Sequence, residues 1–149
     1  MDIRWEIKKF DELSAKELYM IMRLRAEVFI VEQNCPYQDA DGKDLKSWHL
    51  MGYDQDGDLV VFSRILPSGV SYEEVSIGRV VSSPKVRGTG AGRALMKRSL
   101  EEIEKLSGNV PVKIGAQLYL KKFYESFGFV TSSDEYLEDG IPHIEMLRK

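Results

Sequence analysis

The sequence predicts an α/β chain of the α+β type, a mixed and mostly antiparallel sheet of about six to seven strands with helices on both faces. Three observations predict it. Short runs of strand-like residues are separated by tight-turn sequences. Two longer stretches carry helical spacing of apolar residues. Between an apolar run and the longer of these lies the glycine-rich stretch Val86-Arg87-Gly88-Thr89-Gly90-Ala91-Gly92-Arg93.

The elements follow in order. Ile3, Trp5 and Ile7 alternate with polar residues, as in a half-buried strand. Ser14 and Glu17 form a capping box, and Leu13 and Leu18 occupy the staple positions around it. Leu18, Ile21, Met22 and Arg25 then share a helical face up to Val28-Phe29. The segment from Glu32 to Ser47 is polar, holds Pro36, Gly42 and three aspartates, and reads as a long loop. Trp48 to Tyr53 and Leu59 to Leu66 read as strands joined by a hairpin turn at Asp54-Gln55-Asp56-Gly57-Asp58. Ser76 to Val81 is a further strand. The helix opened by the glycine-rich stretch runs to about Leu106, with Leu95, Met96, Leu100, Ile103 and Leu106 on one side. Val112 to Ala116 is a short strand, and Tyr119 to Phe127 a second amphipathic helix closed by Gly128. Val130 begins another strand, and Glu138-Asp139-Gly140 turns into a last one from Ile141 to Leu147. Hairpin neighbours should be antiparallel, and the strand–helix–strand units after Ser76 should include a parallel pair.

The chain has 149 residues, the usual size of one domain, so 1–149 is read as a single domain. With 43% hydrophobic and 30% charged residues, composition argues against disorder. A net charge of -3 is no polyanion-binding signature, so no nucleic-acid partner is expected. Cys35 is the one cysteine, which excludes an internal disulfide and a cysteine-built zinc site. The first residues form no apolar signal segment, and no apolar run is long enough to span a bilayer. The expectation is a cytoplasmic protein with no membrane partner and no metal. Where the chain assembles, a homodimer is the expected form.

The glycines have a physical use. A helix N-terminus carries unpartnered N–H groups and partial positive charge, and glycine lets a phosphate come close to them. Arg87 and Arg93 flank the turn and can add charge-assisted hydrogen bonds. A P-loop would need Gly-Lys-Ser/Thr, but Gly92 is followed by Arg93-Ala94. A dinucleotide fingerprint would need a third glycine where Arg93 or Leu95 stands, and an acid near Val110 to Ile114. The alternative is a glycine-rich turn with no ligand.

Arg87-x-x-Gly90-x-Gly92 resembles the R/Q-x-x-G-x-G/A signature of the GNAT N-acetyltransferases. Within that superfamily the chain is similar to the ElaA-like family. The runs Arg25 to Asp39, Ile77 to Val81, Gly115 to Gln117, Phe123 to Phe129 and Glu138 to Ile144 carry the likeness. The resemblance implies the GNAT fold and acetyl-CoA as co-substrate, with an amine of a small molecule or peptide as acceptor. It implies that Arg87, Gly88, Thr89, Gly90, Ala91, Gly92 and Arg93 hold the CoA pyrophosphate. Val80 and Val81 would pair with pantetheine along their backbone, and a splay between that strand and Val112–Ala116 would admit the thioester. Tyr124 matches the tyrosine that protonates the leaving thiolate, with Phe123 beside it in the cofactor site. Read from its neighbours alone, Tyr124 is as well explained as a core aromatic. Gln117 stands where asparagine is common, and its longer stem changes the geometry.

The acceptor side is thinner. Phe29 and Glu32 are read as lining it. An alkyl amine is protonated in water, so some group must take its proton. His49 and His143 are the two histidines, each open to a functional role or to that of a strand-end residue with a hydrogen-bonded ring. A water chain is the other base. Glu32, Asp39 and Asp41 near a cleft would favour a cationic amine, such as a polyamine, amino sugar or lysine. Both aspartate-rich runs lack the order of a calcium loop and read as turns. Cys35 has no base beside it in sequence, which favours direct transfer over an acyl-cysteine route. Two rivals share the fold's features: a non-catalytic acyl-CoA-binding module, and an acyl-homoserine-lactone-synthase-like acyltransferase, which Arg25 and Val28-Phe29 also resemble. A nucleotide-binding domain of another class is a third.

Overall fold

The computed structural model describes residues 2–149. The sequence-predicted elements appear in order, with one strand more than expected, because the strand read from Val130 is split into Val130–Thr131 and Tyr136–Glu138. They are β1 (Arg4–Lys9), α1 (Ala15–Arg25), β2 (Trp48–Tyr53), β3 (Leu59–Leu66), β4 (Ser76–Ser82) and α2 (Ala91–Ser107). β5 (Val112–Gln117), α3 (Lys121–Glu125), β6 (Val130–Thr131), β7 (Tyr136–Glu138) and β8 (Ile141–Arg148) complete the chain.

The strands form two four-stranded sheets. One has the order β1-β2-β3-β4; in the other β8 lies between β5 and β6 and also pairs with β7. Every pairing between named strands is antiparallel. The expected parallel pair is reduced to one bridge, Val75 with Val112, where the Lys113 amide donates to the Val75 carbonyl at 2.9 Å. Past that bridge β4 and β5 part company.

Helices cover both faces of the first sheet because β2 and β3 are buried on both sides. Met51, Phe62 and Val81 pack with Ile21, Leu24 and Val28 on the α1 side. Leu50, Val60 and Val61 pack with Ala91 and Leu95 of α2 on the other. A third cluster joins the sheets, bringing Ile77, Met96, Ile114, Tyr124, Phe129 and Ile144 together.

Local signals set the boundaries. The Ser14 hydroxyl accepts from the Glu17 amide at 3.0 Å, and Glu17 accepts from the Ser14 amide at 2.8 Å. A cap of this kind contributes about 1 kcal/mol. After Arg25 the helix widens into a π-helical segment, Ala26–Glu32, whose following amides at Gln33 and Cys35 reach back five residues to Val28 and Ile30. The helical face expected up to Phe29 is therefore real but changes pitch. Leu106, expected on the buried side of α2, is 40% exposed in its last turn. The helix expected over Tyr119–Phe127 is shorter: a 3₁₀ turn, Leu118–Leu120, leads into α3, and Gly128 at φ 92° reverses the chain. The acidic hairpin turn folds on itself. Asp54 Oδ1 accepts from the amides of Asp56 and Asp58 at 3.0 Å each, and the Lys85 ammonium sits against Asp54 and Asp58.

The segment read as a long polar loop is pinned by buried charge. Arg25 of α1 bonds Asp39 at 2.9 Å and Asp44 at 2.8 Å. Arg64 of β3 bonds Asp41 at 2.8 Å and Asp44 at 3.0 Å. Arg79 of β4 bonds Asp39 at 2.8 Å, and Tyr37 donates to the same carboxylate oxygen at 2.9 Å. Arg25 is wholly buried, and Asp39, Asp44 and Arg64 nearly so. Burial alone would raise the carboxyl of Asp44, but hydrogen bonds and charge from Arg25 and Arg64 outweigh it and hold Asp44 below its ordinary range. Asp41 is depressed in the same way.

Replacing Arg25 by Met leaves two buried carboxylates short of a partner and should cost about 3–5 kcal/mol in urea denaturation. The network also gives a pH signature. A depressed folded pKa contributes stability that is full above the ordinary aspartate range and is lost as pH falls from that range down through the depressed folded value. The urea midpoint should therefore fall on acidification, and fall less steeply in Asp44→Asn.

Candidate functional site

Beyond the Val75–Val112 bridge a cleft of about 840 Å³ opens between β4 and β5. Val80 and Val81 line it from β4, Gly115 and Gln117 from β5, and Phe123 and Tyr124 from α3. β4 pairs with β3 on one side only, so its other edge offers backbone groups to the cleft. It also bulges. Phe62 faces Val81 and Arg64 faces Gly78, so Ser63 lies opposite two residues, Arg79 and Val80. Arg79 takes a φ of 48°, strained for a residue with a side chain. Its bonds to Asp39 and the Tyr37 ring 5.5 Å away hold it there.

Arg87 and Gly92 also line the cleft. Gly88 and Gly90 adopt φ of 78° and 86°, which is why glycine occupies both. Gly90 caps α2 without any side-chain bond, so the first-turn amides of Ala91, Gly92 and Arg93 have no cap. A Cβ on Gly92 would meet nothing closer than Ser82 Oγ at 3.5 Å, so the approach is open. The Thr89 amide is used inside the turn, on the Val86 carbonyl. Arg87 forms a two-pronged ion pair with Glu32, which raises the guanidinium and lowers the carboxyl. Arg93 leans toward α3, donating to Ser126 Oγ at 3.1 Å above the Phe127 ring.

Tyr124 is 6% exposed, packed edge-on against Phe123 and Phe129. A phenol is protonated at neutral pH, and burial, with a smaller push from Tyr119, raises Tyr124 further above the ordinary range. Gln117 exchanges paired amide bonds with Gln33 at 3.3 Å in both directions. Phe29, Glu32 and His143 line the cleft as well.

Other sequence candidates are buried or already paired. His49 does not line the cleft; it is fully buried, with Nε2 2.9 Å from the Asp44 carbonyl, and burial disfavours its charged form. The case for a cationic acceptor also loses its basis. Asp39 and Asp41 are neutralised by the arginines, and Glu32 by Arg87. Cys35 lines the cleft but is 8% exposed, its Sγ donating to the Asp139 carbonyl at 3.3 Å.

Sequence reasoning missed the Tyr72 and Tyr136 pair. Both hydroxyls come within 2.9 Å of where a Cβ on Gly115 would sit. The signal was present, since an isolated glycine inside a strand often marks a close approach.

A family model described as an acetyltransferase (GNAT) domain matches residues 14–149. The chain belongs to the GNAT acetyltransferase family. This GNAT chain is 46% identical to Protein ElaA of Escherichia coli, over 99% of its own length and 97% of that protein's. An acyl-CoA N-acyltransferase from Pseudomonas aeruginosa is 45% identical and superposes with a TM-score of 0.94, covering 99% of this chain and 100% of that one. An aminoglycoside 6'-N-acetyltransferase solved in complex with coenzyme A shares the fold at 17% identity, with a TM-score of 0.68 and 96% of each chain covered. No helix of this GNAT domain, among the described residues, is long and apolar enough to cross a membrane.

Gly90→Ala isolates the backbone demand of the turn. No atom lies within 4 Å of the new Cβ, so the cost is conformational strain alone. It should be about 1–2 kcal/mol in thermal or denaturant unfolding.

Proposed function

We propose that the protein transfers an acetyl group from acetyl-CoA directly to the primary amine of a small molecule or peptide. The observation that carries the reading is the meeting of three features in one cleft: uncapped helix amides beside an arginine, an unpaired strand edge, and a buried protonated phenol. Each suits one part of the donor. The amides of Ala91 to Arg93, with Arg87, would hold the pyrophosphate. The β4 edge at Val80-Val81 would take the pantetheine amides as a strand takes a neighbour. A backbone N–H on the open β4 edge near Val81 is the candidate oxyanion donor for the thioester carbonyl. The description of the Pseudomonas aeruginosa relative as an acyl-CoA N-acyltransferase supports the donor class, and the neighbour solved with coenzyme A supports it through the fold.

In the proposed reaction the neutral amine nitrogen attacks the thioester carbon, forming the N–C bond. The tetrahedral intermediate collapses with cleavage of the C–S bond, and the electron pair leaves on sulfur. Tyr124 gives its hydroxyl proton to the thiolate, and the phenolate recovers a proton from the nitrogen. The products are the amide and coenzyme A thiol. Tyr124 is useful only while protonated, and its raised pKa puts loss of that proton above the ordinary phenol range. The rate should therefore show no Tyr124-dependent fall near neutral pH.

Calorimetric titration with coenzyme A tests the donor site. Wild type should bind at micromolar affinity, and Arg87→Ala should weaken binding about tenfold. Glu32→Gln frees Arg87 from an exposed ion pair and should tighten binding, by no more than about fivefold given the small worth of such pairs. No binding by wild type would remove the pyrophosphate site and the reading with it. Tyr124→Phe should lower kcat about 100-fold at unchanged coenzyme A affinity. An undiminished kcat would strip Tyr124 of its role.

A further inference from the structure

His143 lies on β8 opposite Gln117 of β5, and its ring lines the cleft. Its Nδ1 is 2.7 Å from the Ile141 carbonyl. A carbonyl only accepts, so Nδ1 carries a hydrogen in both charge states of the ring. Nε2 is then the nitrogen that gains and loses the proton. It stands 3.4 Å from Glu138 Oε2, too far for a good hydrogen bond but close enough for charge attraction. The Tyr136 ring stacks on the imidazole with centroids 5.8 Å apart. Carbonyl and ring stacking thus fix both the tautomer and the plane, while the Glu138 side chain, 59% exposed, keeps freedom to follow the proton.

The surrounding charges leave this pairing uncontested. On the same face of the sheet, Glu145 of β8 is paired with Lys113 of β5 at 3.1 Å. Gln117 of β5 is its neutral cross-strand neighbour, and the Tyr136 phenol that stacks on the ring meets Tyr72 over Gly115. His49 makes the contrast: buried under Phe10 and Phe62, with Arg25 and Arg64 also opposing its positive charge.

The geometry points to His143 as the base that deprotonates the acceptor ammonium, with Glu138 as the residue that stabilises the resulting imidazolium. The role rests on the acyl-transfer reading above. In the step, an R–NH₃⁺ acceptor gives one proton to Nε2, leaving R–NH₂ with a free electron pair. The imidazolium faces Glu138 until water takes the proton. The neutral amine then attacks the thioester, and Tyr124 serves the sulfur as before. One proton leaves per turnover through His143, and the second ends on the coenzyme A thiol.

Two acceptors separate this role from a structural one. n-Butylamine is protonated at neutral pH, whereas hydroxylamine is largely neutral and needs no base. Thiol release from acetyl-CoA is followed with each amine for wild type, His143→Gln, Glu138→Gln and Tyr124→Phe, alongside coenzyme A affinity as a check on folding. His143→Gln should lose about 100-fold in kcat/KM with n-butylamine and stay within about twofold with hydroxylamine. Its loss with n-butylamine should shrink as pH rises and free amine accumulates. Glu138→Gln removes the charge facing the imidazolium, so it should lower kcat/KM with n-butylamine and spare hydroxylamine. Tyr124→Phe should be slow with both amines. Equal losses in His143→Gln with both acceptors, or none with n-butylamine, would overturn the base assignment while leaving acyl transfer intact. Absence of thiol release by wild type with both amines would overturn the acyl-transfer reading and the base together.

Discussion

Three arginines against three aspartates hold the walls of this molecule in register. Arg25 comes from α1, Arg64 from β3 and Arg79 from β4, while Asp39, Asp41 and Asp44 all come from the segment between α1 and β2. Buried ion pairs of this sort add little net stability over apolar packing, but a single lost partner leaves an expensive uncompensated charge. Their effect is to make one placement of a polar segment acceptable and the alternatives poor. That placement determines the cleft. Asp39 grips Arg79 through its carboxylate at 2.8 Å and its carbonyl at 3.0 Å, and Arg79 is the residue whose backbone bulges β4. The shape of the strand edge therefore depends on residues about forty positions earlier in the chain.

The cleft itself follows from the way two sheets are joined at a single point. Antiparallel pairing satisfies β3–β4 and β5–β8 separately, and the Val75–Val112 bridge is the one parallel contact among the described residues. Divergence beyond it would open a void in the core if nothing filled it. The apolar cluster around Ile77, Ile114, Phe129 and Ile144 closes the α3 side, which buries Tyr124 at the base of the opening. Burial of a phenol there is thus a consequence of closing the sheet junction, and it moves the loss of the phenol proton still further above neutral pH.

Much of the framework was legible in the sequence. The β2–β3 hairpin announces itself through an aspartate-rich turn between apolar runs, and the α1 cap through Ser14 and Glu17. The glycines at 88 and 90 betray a turn with positive φ, because few other residues take it up. What could not be read were pairings between distant positions. Arg64 sits in an otherwise apolar run and looks like an exposed strand residue, yet it is 3% exposed and meets aspartates some twenty residues upstream. The two histidines were equivalent in sequence because each lies on a strand. Both are buried, and position separates them: His49 lies in a layer covered on both sides, whereas His143, 7% exposed, lines the gap left by the splay. The length of α3 was overestimated because the apolar spacing from Tyr119 continues through a 3₁₀ turn and a glycine reversal.

The end of the π-helical segment links these parts. Glu32 reaches Arg87 beside the glycine turn, and the adjacent Gln33 reaches Gln117 at the end of β5. Two neighbouring residues thus strap both walls of the cleft. The two bonds differ in kind. The Gln33–Gln117 pair is neutral and can be exchanged for other amides at little electrostatic cost. The Glu32–Arg87 pair is exposed, so its net worth is small, within about 1 kcal/mol. An anionic ligand at the turn would take over the guanidinium, gain the unused amides of α2 and meet the repulsion of the released Glu32. The amides favour the anion and the carboxylate opposes it, so the balance depends on how far the wide helical turn lets Glu32 swing away. A π-helical segment, with its looser five-residue bonds, is the kind of element that can yield without unwinding the helix behind it.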